Sequence, residues 1–435
     1  MVREIAELVS GFDLDDLSQN AAQRLKLMLL ANLSVAVAGV PYCVFAEPAQ
    51  GGRYHLITGR TTQNATAAAF WNAAVMHART QDDFHPVGNI HLGTVIIPSL
   101  LAIADEKPVT GREFLSALAV GYMVAVGISR ASSPLTSPRG LRSTSLYGPF
   151  GVAAAVGRLR SASAEQIASA LGLSTAFASG TTQTWIDGSD EWQLHVALCA
   201  EAGLRAVDLA MAGVAGGSQA LSGSAGFFNA FTGKRPTFSD IAPDFDPSAA
   251  IGECVIKRYP VSGICQSVVL AAERLAARLP PAPDIREVRV SMNEFELSYP
   301  GTSSRGPYHS FSSKLMSAAF CCASVLAAGR FSFTDFQGAL SPQLKEMLQK
   351  VTVVGDAKLP LLSASLAIEL GDGTVLNETL MNSRDEIAIE WVSIDAWAGS
   401  LWTESGRSLK QYKECRDYIE NLGQTAEVRF PEQIC

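Results

Sequence analysis

The stretch TGREFLSALAVGYMVAVGISRA, residues 110–131, predicts a long helix within a helical domain. Thr110 stands three places before Glu113, which is the capping-box pattern at the start of a helix. Apolar residues follow almost without interruption, and many of them are Ala or Gly. Because small residues at helix contacts let two backbones approach closely, we expect this helix to pack tightly against its neighbours.

Similar Ala-rich segments recur over the first 250 residues, and no alternation typical of a β-strand persists there. We therefore expect this region to be all-helical. The predicted helical segments are 13–40, 62–78, 95–106, 110–131, 150–159, 163–180 and 195–214.

The pattern changes after about residue 250. A helical segment at 266–279 ends in PPAP, a strong helix breaker, and three strand-like segments follow at 284–292, 351–356 and 362–380. The last of these contains a GDG turn, and residues 394–422 are helical again. The predicted fold is mainly α. A large all-helical domain (1–250 and 394–435) carries an inserted, smaller α+β lid domain (251–393).

Composition limits the class of protein. The chain has 435 residues, which favours two domains, and 48% of them are hydrophobic. Only 17% are charged, against about 25% in typical soluble domains. So few charges predict a large buried interior and an apolar oligomer interface, and a homodimer is the expected assembly.

Several partners and sites are disfavoured. The net charge of −8 and the absence of basic clusters argue against nucleic acid. The eight cysteines form no CxxC pair, which disfavours zinc and suggests a reducing, cytoplasmic location. The N-terminus carries early acids and no apolar core, so we expect no signal peptide. The longest apolar run, 27–40, is short of the roughly 20 residues of a membrane span.

An ordered series of motifs resembles the MmgE/PrpD family, which includes 2-methylcitrate dehydratase, cis-aconitate decarboxylase and iminodisuccinate epimerase. Each motif alone is weak, but the order along nearly the whole chain is specific. The matching segments include ANLSVAVAG (31–39), AAFWNAAVMHARTQDDFHP (68–86), HLGTVIIPSLLAIAD (91–105), RGLRSTSLYGPFGVAAAVGRL (139–159), LHVALCAEAGLRAVDLAMAGVAG (194–216) and IKRYPVSG (256–263).

The chain also departs from the family pattern at polar positions. Arg142 stands where the family's G-x-H-x-T motif has His, and Trp192 stands where K-x-L-H has Lys. HLG at residues 91–93 replaces HPS, and Ser262 replaces a His of the decarboxylases. These changes imply a substrate that differs from the family's usual ones.

The resemblance implies a site that removes a proton next to a carboxylate without a cofactor or a metal. The candidate catalytic residues are Lys257, His91, His85, Tyr147 and Asp83. Each has a structural alternative: a surface lysine at a domain junction, a capping or core histidine, a surface-loop histidine, a packed tyrosine ring, and a solvated carboxylate.

The candidate substrate-binding residues are Arg142, Thr144, Asp82, His195 and Trp192. A guanidinium offers a bidentate fork to a carboxylate, although Arg142 can instead form a structural ion pair. Thr144, and Tyr147 after it, are expected in a loop that leads into the helix at 150–159. His195 can contact substrate or sit satisfied in the core, and Trp192 can supply an aromatic wall.

Three functions remain open at this stage. The first is a cofactor-independent, dehydratase-type lyase acting on a small di- or tricarboxylate such as a 2-methylcitrate-like compound. The second is an isomerase, epimerase or cyclase acting on a divergent substrate, which the changes at Arg142 and Trp192 motivate. The third is a non-catalytic binding protein on the same scaffold.

Overall fold

Residues 1–429, which the computed structural model describes, are mainly helical, as predicted. The helices are α1 (Val2–Gly11), α2 (Gln19–Gly39), α3 (Ala65–His77), α4 (Gly93–Ala104), α5 (Gly111–Thr136), α6 (Ser143–Leu159), α7 (Ala164–Ser174), α8 (Gln183–Asp187), α9 (Glu191–Met211), α10 (Phe227–Thr232), α11 (Phe238–Ile241), α12 (Pro247–Gly252), α13 (Gln266–Ala276), α14 (Glu294–Ser298), α15 (Phe311–Leu315), α16 (Ala318–Ala328), α17 (Pro342–Lys350), α18 (Arg384–Ile387), α19 (Ile394–Glu404) and α20 (Leu409–Glu420).

Eight short strands accompany the helices. They are β1 (Gln50–His55), β2 (Thr61–Thr62), β3 (Asp83–Phe84), β4 (Val255–Ile256), β5 (Ile285–Asn293), β6 (Val351–Asp356), β7 (Ala364–Leu370) and β8 (Val375–Leu380). The last four form one sheet, and the first four form two antiparallel pairs.

The chain divides into two units. The first comprises residues 1–181, 193–256 and the segment from Ile389 onward; the second comprises residues 182–192 and 257–388. The predicted division differs from this one at its edges, because it kept residues 182–192, and with them Trp192, in the helical domain. The end of that predicted domain, residues 430–435, lies outside the described part of the chain. The role of the second unit as a lid stays a prediction.

The first unit is built around α5. Its N-terminus carries the predicted capping box between Thr110 and Glu113, and most of its length is fully buried. Gly151 of α6 faces this helix: a Cβ there would lie 2.8 Å from the Gly121 carbonyl oxygen and 2.8 Å from the Ala125 Cβ. Small residues therefore allow the close helix contact that the sequence predicts.

The first unit is not all-helical, and that part of the prediction is wrong. β1 and β2 form an irregular antiparallel hairpin, and β3 pairs with β4. The Asn72 side chain of α3 accepts from the Ile57 amide at 3.0 Å and donates to the His55 carbonyl at 3.0 Å. These strands are two to six residues long and are held by tertiary contacts. They are therefore too short for an alternating sequence pattern to predict them.

The second unit contains the predicted strands. Its sheet has the order β6-β5-β7-β8, with β5 and β6 parallel and the other pairs antiparallel. β7 alternates buried and half-buried residues, as a strand with one covered face does. The GDG turn joins β7 to β8, with Gly373 at a φ of 86°. Helices α13 and α16 pack against this sheet.

Two helical segments, Gln19–Tyr42 and Gly111–Arg139, are long and apolar enough to span a membrane by length and composition alone. They extend well beyond the apolar run at 27–40. Most of each apolar window is buried inside the first unit, as in the core helices of a folded domain.

The close contact between α5 and α6 predicts the effect of one added methyl group. Gly151→Ala should lower the free energy of unfolding by about 1–3 kcal/mol, because the new Cβ meets the backbone of α5. Chemical denaturation measures this change. Gly11→Ala is the matched control, since its Cβ would meet nothing within 4 Å. An unchanged Gly151→Ala midpoint would contradict the packing described here.

Candidate active site

A buried carboxylate and two imidazoles meet where α3 ends and the following loop turns back. Asp82 Oδ2 lies 2.9 Å from His77 Nδ1 and 3.1 Å from His91 Nδ1. Asp82 and His77 are buried, whereas the His91 side chain is 20% exposed to solvent. The two imidazole rings form an edge-to-face pair with centroids 4.8 Å apart. We call Asp82, His77 and His91 the Asp82 cluster.

Arg142 connects the cluster to His195. Its Nη2 lies 2.9 Å from His77 Nε2 and its Nη1 lies 3.2 Å from His195 Nδ1. Arg142 itself is 2% exposed and stands directly before α6. Both terminal nitrogens of the guanidinium therefore bind imidazoles of the protein and position their rings, and the predicted carboxylate clamp stays a prediction.

The hydrogen-bond partners of each imidazole indicate which ring nitrogen carries the proton. A guanidinium only donates, so His77 Nε2 and His195 Nδ1 accept, and the ring protons lie on His77 Nδ1 and His195 Nε2. His91 Nδ1 also lies 3.2 Å from the Asp83 carbonyl oxygen, which only accepts. His91 therefore carries its proton on Nδ1, and the basic lone pair is on Nε2.

Electrostatics agrees with neutral imidazoles beside Arg142. Burial lowers the pKa of His77 to about 3, against a partial opposing effect of Asp82. Burial and the Arg142 charge lower the pKa of His195 to about 3. Asp82 can therefore accept two N–H groups from neutral rings. This is the arrangement in which a carboxylate orients a histidine and stabilises its protonated form.

Asp83 supports the loop. Its carboxylate accepts from the Gly93 amide at 2.9 Å, from the Asn32 amide group at 3.1 Å and from the Tyr122 hydroxyl at 2.7 Å. Burial raises its pKa to about 6. Gly93 begins α4, and a Cβ there would lie 2.6 Å from Asp83 Oδ1, so the glycine of HLG is required.

His85 belongs to another network. The Gly88 amide donates to its Nδ1 at 2.9 Å, so its proton lies on Nε2, 3.0 Å from Glu253. Arg130 also binds Glu253 and reaches Asp244 at 3.1 Å. His85 is fully buried, so the surface-loop alternative is wrong, and its predicted catalytic role stays a prediction.

Thr144 and Tyr147 lie in α6, not in a loop as predicted, because the helix begins at Ser143. Thr144 Oγ1 accepts from the His91 amide at 3.2 Å and so helps to place that residue. Tyr147 is buried, shares a 2.6 Å hydrogen bond with Thr136, and has a pKa raised by burial. Its ring packs edge-on against Phe227, which matches the packing alternative and disfavours an acid role.

Lys257 and Trp192 lie in the second unit. Lys257 is buried, forms a backbone bridge to Ala388, and follows β4 directly along the chain. Trp192 is buried and packs its ring against Trp185 and Phe311, at centroid distances of 5.8 and 6.1 Å. Their predicted roles toward a substrate stay predictions.

His77 is the residue that the sequence prediction missed. It is the final His of the A-x-x-N-x-x-x-x-H motif in the segment 68–86, and it lies five residues before Asp82. Its place at the end of an apolar helix gives no local sign of a functional role. Its pairing with an acidic residue just beyond the helix end is the signal that marks it.

The Asp82 cluster also has the composition of a metal site, since its three side-chain donors lie within 4.8 Å of one another. A metal, however, needs lone pairs. The Nδ1 atoms of both histidines are N–H donors here, and the Arg142 guanidinium is bonded to His77. A cation at this position would have to displace these hydrogen bonds.

Comparison with known proteins covers most of the chain. Residues 3–239 match the MmgE/PrpD N-terminal domain and residues 259–382 match the MmgE/PrpD C-terminal domain. The chain is 25% identical to a cis-aconitate decarboxylase-like protein of Aspergillus oryzae, over 89% of each chain. It is 24% identical to a cis-aconitate decarboxylase of Aspergillus terreus, over 98% of this chain and 94% of the relative. A mouse cis-aconitate decarboxylase is 25% identical over 87% of this chain and 81% of its own.

The lowered pKa of His77 predicts how stability depends on pH. The unfolded chain binds a proton at this histidine below about pH 6.5. The folded protein does so only near pH 3. Stability from this group is thus complete above pH 6.5 and is lost as the pH falls toward 3. Replacing the histidine should make the acid-side loss less steep.

The test compares urea-unfolding free energies of wild type and His77→Asn at pH 7, 5.5 and 4.5. The asparagine amide can still donate to Asp82, so the cluster keeps one of its contacts. His55→Gln is the control, since His55 is partly exposed on β1 and pairs with Asp105. If His77→Asn and wild type lose stability with the same slope, the buried neutral imidazole is ruled out.

Proposed function

The chain belongs to the MmgE/PrpD family, and we propose that it is a cofactor-independent lyase acting on a small di- or tricarboxylate. The observation that carries this proposal is the pairing of His91 with the buried Asp82, which leaves the basic lone pair on His91 Nε2. The names of the relatives, cis-aconitate decarboxylases at 24–25% identity, support a lyase and a carboxylate-rich substrate.

In the proposed reaction, His91 Nε2 removes a proton from the carbon next to a substrate carboxylate. The electron pair moves toward that carboxylate, and a hydroxyl on the neighbouring carbon takes up a proton and leaves as water. The resulting imidazolium of His91 is stabilised by Asp82, whose carboxylate lies 3.1 Å from Nδ1. General bases of this kind contribute about 10²–10⁴-fold to a rate.

Cationic groups have separate roles in this proposal. Arg142 is bonded to His77 and His195, so it fixes the tautomers of the network. Lys257 is the candidate for binding a substrate carboxylate or for protonating the leaving hydroxyl. Its ammonium group can do either, as a compact point charge with three donors.

Decarboxylation is the second candidate, and the names of the relatives favour it. In that case a carboxylate leaves as CO₂, and the carbon that loses it must be protonated. A protonated His91 can supply this proton. The two reactions therefore use the same residue in opposite protonation states, so they are separated by their products.

The substrate class predicts turnover that NMR can follow. The purified protein is incubated with citrate, 2-methylcitrate or cis-aconitate in D₂O with EDTA. It should dehydrate or hydrate at least one of these compounds. Loss of CO₂ instead identifies the decarboxylase. Deuterium incorporation without loss of either would support the isomerase alternative, and no reaction with any carboxylate would count against the lyase.

The base assignment predicts the effect of two substitutions on the substrate that is turned over. His91→Gln should lower kcat by about 10²–10⁴-fold, because the base is lost. Asp82→Asn should lower kcat strongly with a smaller change in KM, because the amide cannot accept both N–H groups. His55→Gln is again the control, on a hairpin apart from the cluster. Wild-type kcat in both cluster variants would falsify the assignment.

A further inference from the structure

The first unit contains a cavity beside α9 and the start of α6. It encloses about 280 Å³ and has apolar walls with a charged pair at its side. Glu201 and Arg205 form that pair, one helical turn apart and 2.7 Å from each other. Its lining also includes Ser145, Phe177, Ser179, His195, Leu198 and Ala202. None of the Asp82 cluster is among them.

Two polar groups of this cavity have hydrogen-bonding capacity to offer. Ser145 is 3% exposed, and its Oγ has no hydrogen-bond partner. His195 accepts from Arg142 at Nδ1, which puts its proton on Nε2. A Cβ at Gly180 would lie 2.6 Å from Ser145 Oγ and 3.3 Å from His195 Cδ2, so the two side chains lie next to each other at this glycine.

A buried hydroxyl without a partner is destabilising, so its occurrence in a folded protein calls for an explanation. Here Ser145 lines a cavity, and its side chain lies next to the His195 ring. Both groups can donate to one acceptor. The positive charge of Arg142 behind His195 favours a negatively charged acceptor. Arg205 is paired with Glu201, so this pair adds no net charge.

We propose that this cavity binds a small monocarboxylic acid with a short apolar chain. The carboxylate accepts from Ser145 Oγ and His195 Nε2, and the chain packs against Phe177, Leu198 and Ala202. The volume is at the low end of the range for ligand pockets, which fits an acid of a few carbons. This inference does not depend on the proposed lyase activity, because binding is measured without turnover.

The test is titration of the full-length protein with hexanoate by calorimetry or ligand-observed NMR, with 1-hexanol as the uncharged comparison. Wild type should bind hexanoate in a saturable manner and more tightly than 1-hexanol. Ser145→Ala should weaken hexanoate binding about tenfold, the value of one hydrogen bond to a charged group. The variant should fold normally, because Ser145 Oγ has no partner to lose.

Two further variants test whether hexanoate binds in this cavity. Ala202→Leu narrows the cavity and should also weaken binding of hexanoate. Ser179→Ala changes an exposed lining serine and should leave the affinity within about twofold of wild type. No saturable binding by wild type at 20 mM hexanoate overturns the proposal. So does a Ser145→Ala variant that binds as tightly as wild type, since this would place the ligand elsewhere.

Discussion

The carboxylate of Asp82 is the group on which the candidate site depends. It is buried and accepts hydrogen bonds from two imidazoles, so it fixes which nitrogen of each ring carries the proton. A buried carboxylate without such donors would be protonated or unstable. On the other side of His77, Arg142 supplies the compensating positive charge. The neutral ring of His77 therefore lies between the negative Asp82 and the positive Arg142. Asp82 Oδ2 also orients a second neutral imidazole, that of His91.

Asp82 and Asp83 are neighbours in sequence but have different tasks. Asp82 is bonded to side chains of the cluster, whereas Asp83 is bonded to the scaffold: α2 through Asn32, α4 through Gly93 and α5 through Tyr122. Three helices thus hold one residue of the loop, and the adjacent residue is placed as a consequence. Burial raises the pKa of Asp83 to about 6, so its three donors are needed to keep it ionised at neutral pH.

Local patterns predicted the helices and the sheet of the second unit well, because apolar periodicity and capping residues act over a few positions. They could not predict contacts between distant segments. Tyr147 looked available in sequence, but α6 begins at Ser143 and buries the ring. His77 ends an apolar helix without a local polar pattern, and its contact with a carboxylate arises only because the loop returns Asp82 to it. The β1–β2 hairpin likewise depends on Asn72, which lies in another element.

The change from His to Arg in the G-x-H-x-T motif has a definite chemical consequence. An imidazole at this position can donate or accept a proton near neutral pH, but a guanidinium stays protonated and only donates. Arg142 therefore forces its partners His77 and His195 to accept, and both are held neutral. His91 differs from both, because its Nδ1 is held by Asp82 and its Nε2 has the lone pair. In the proposed reaction, one imidazole of the first unit, His91, therefore has to remove the proton and return it, because an arginine has replaced the family's histidine at position 142.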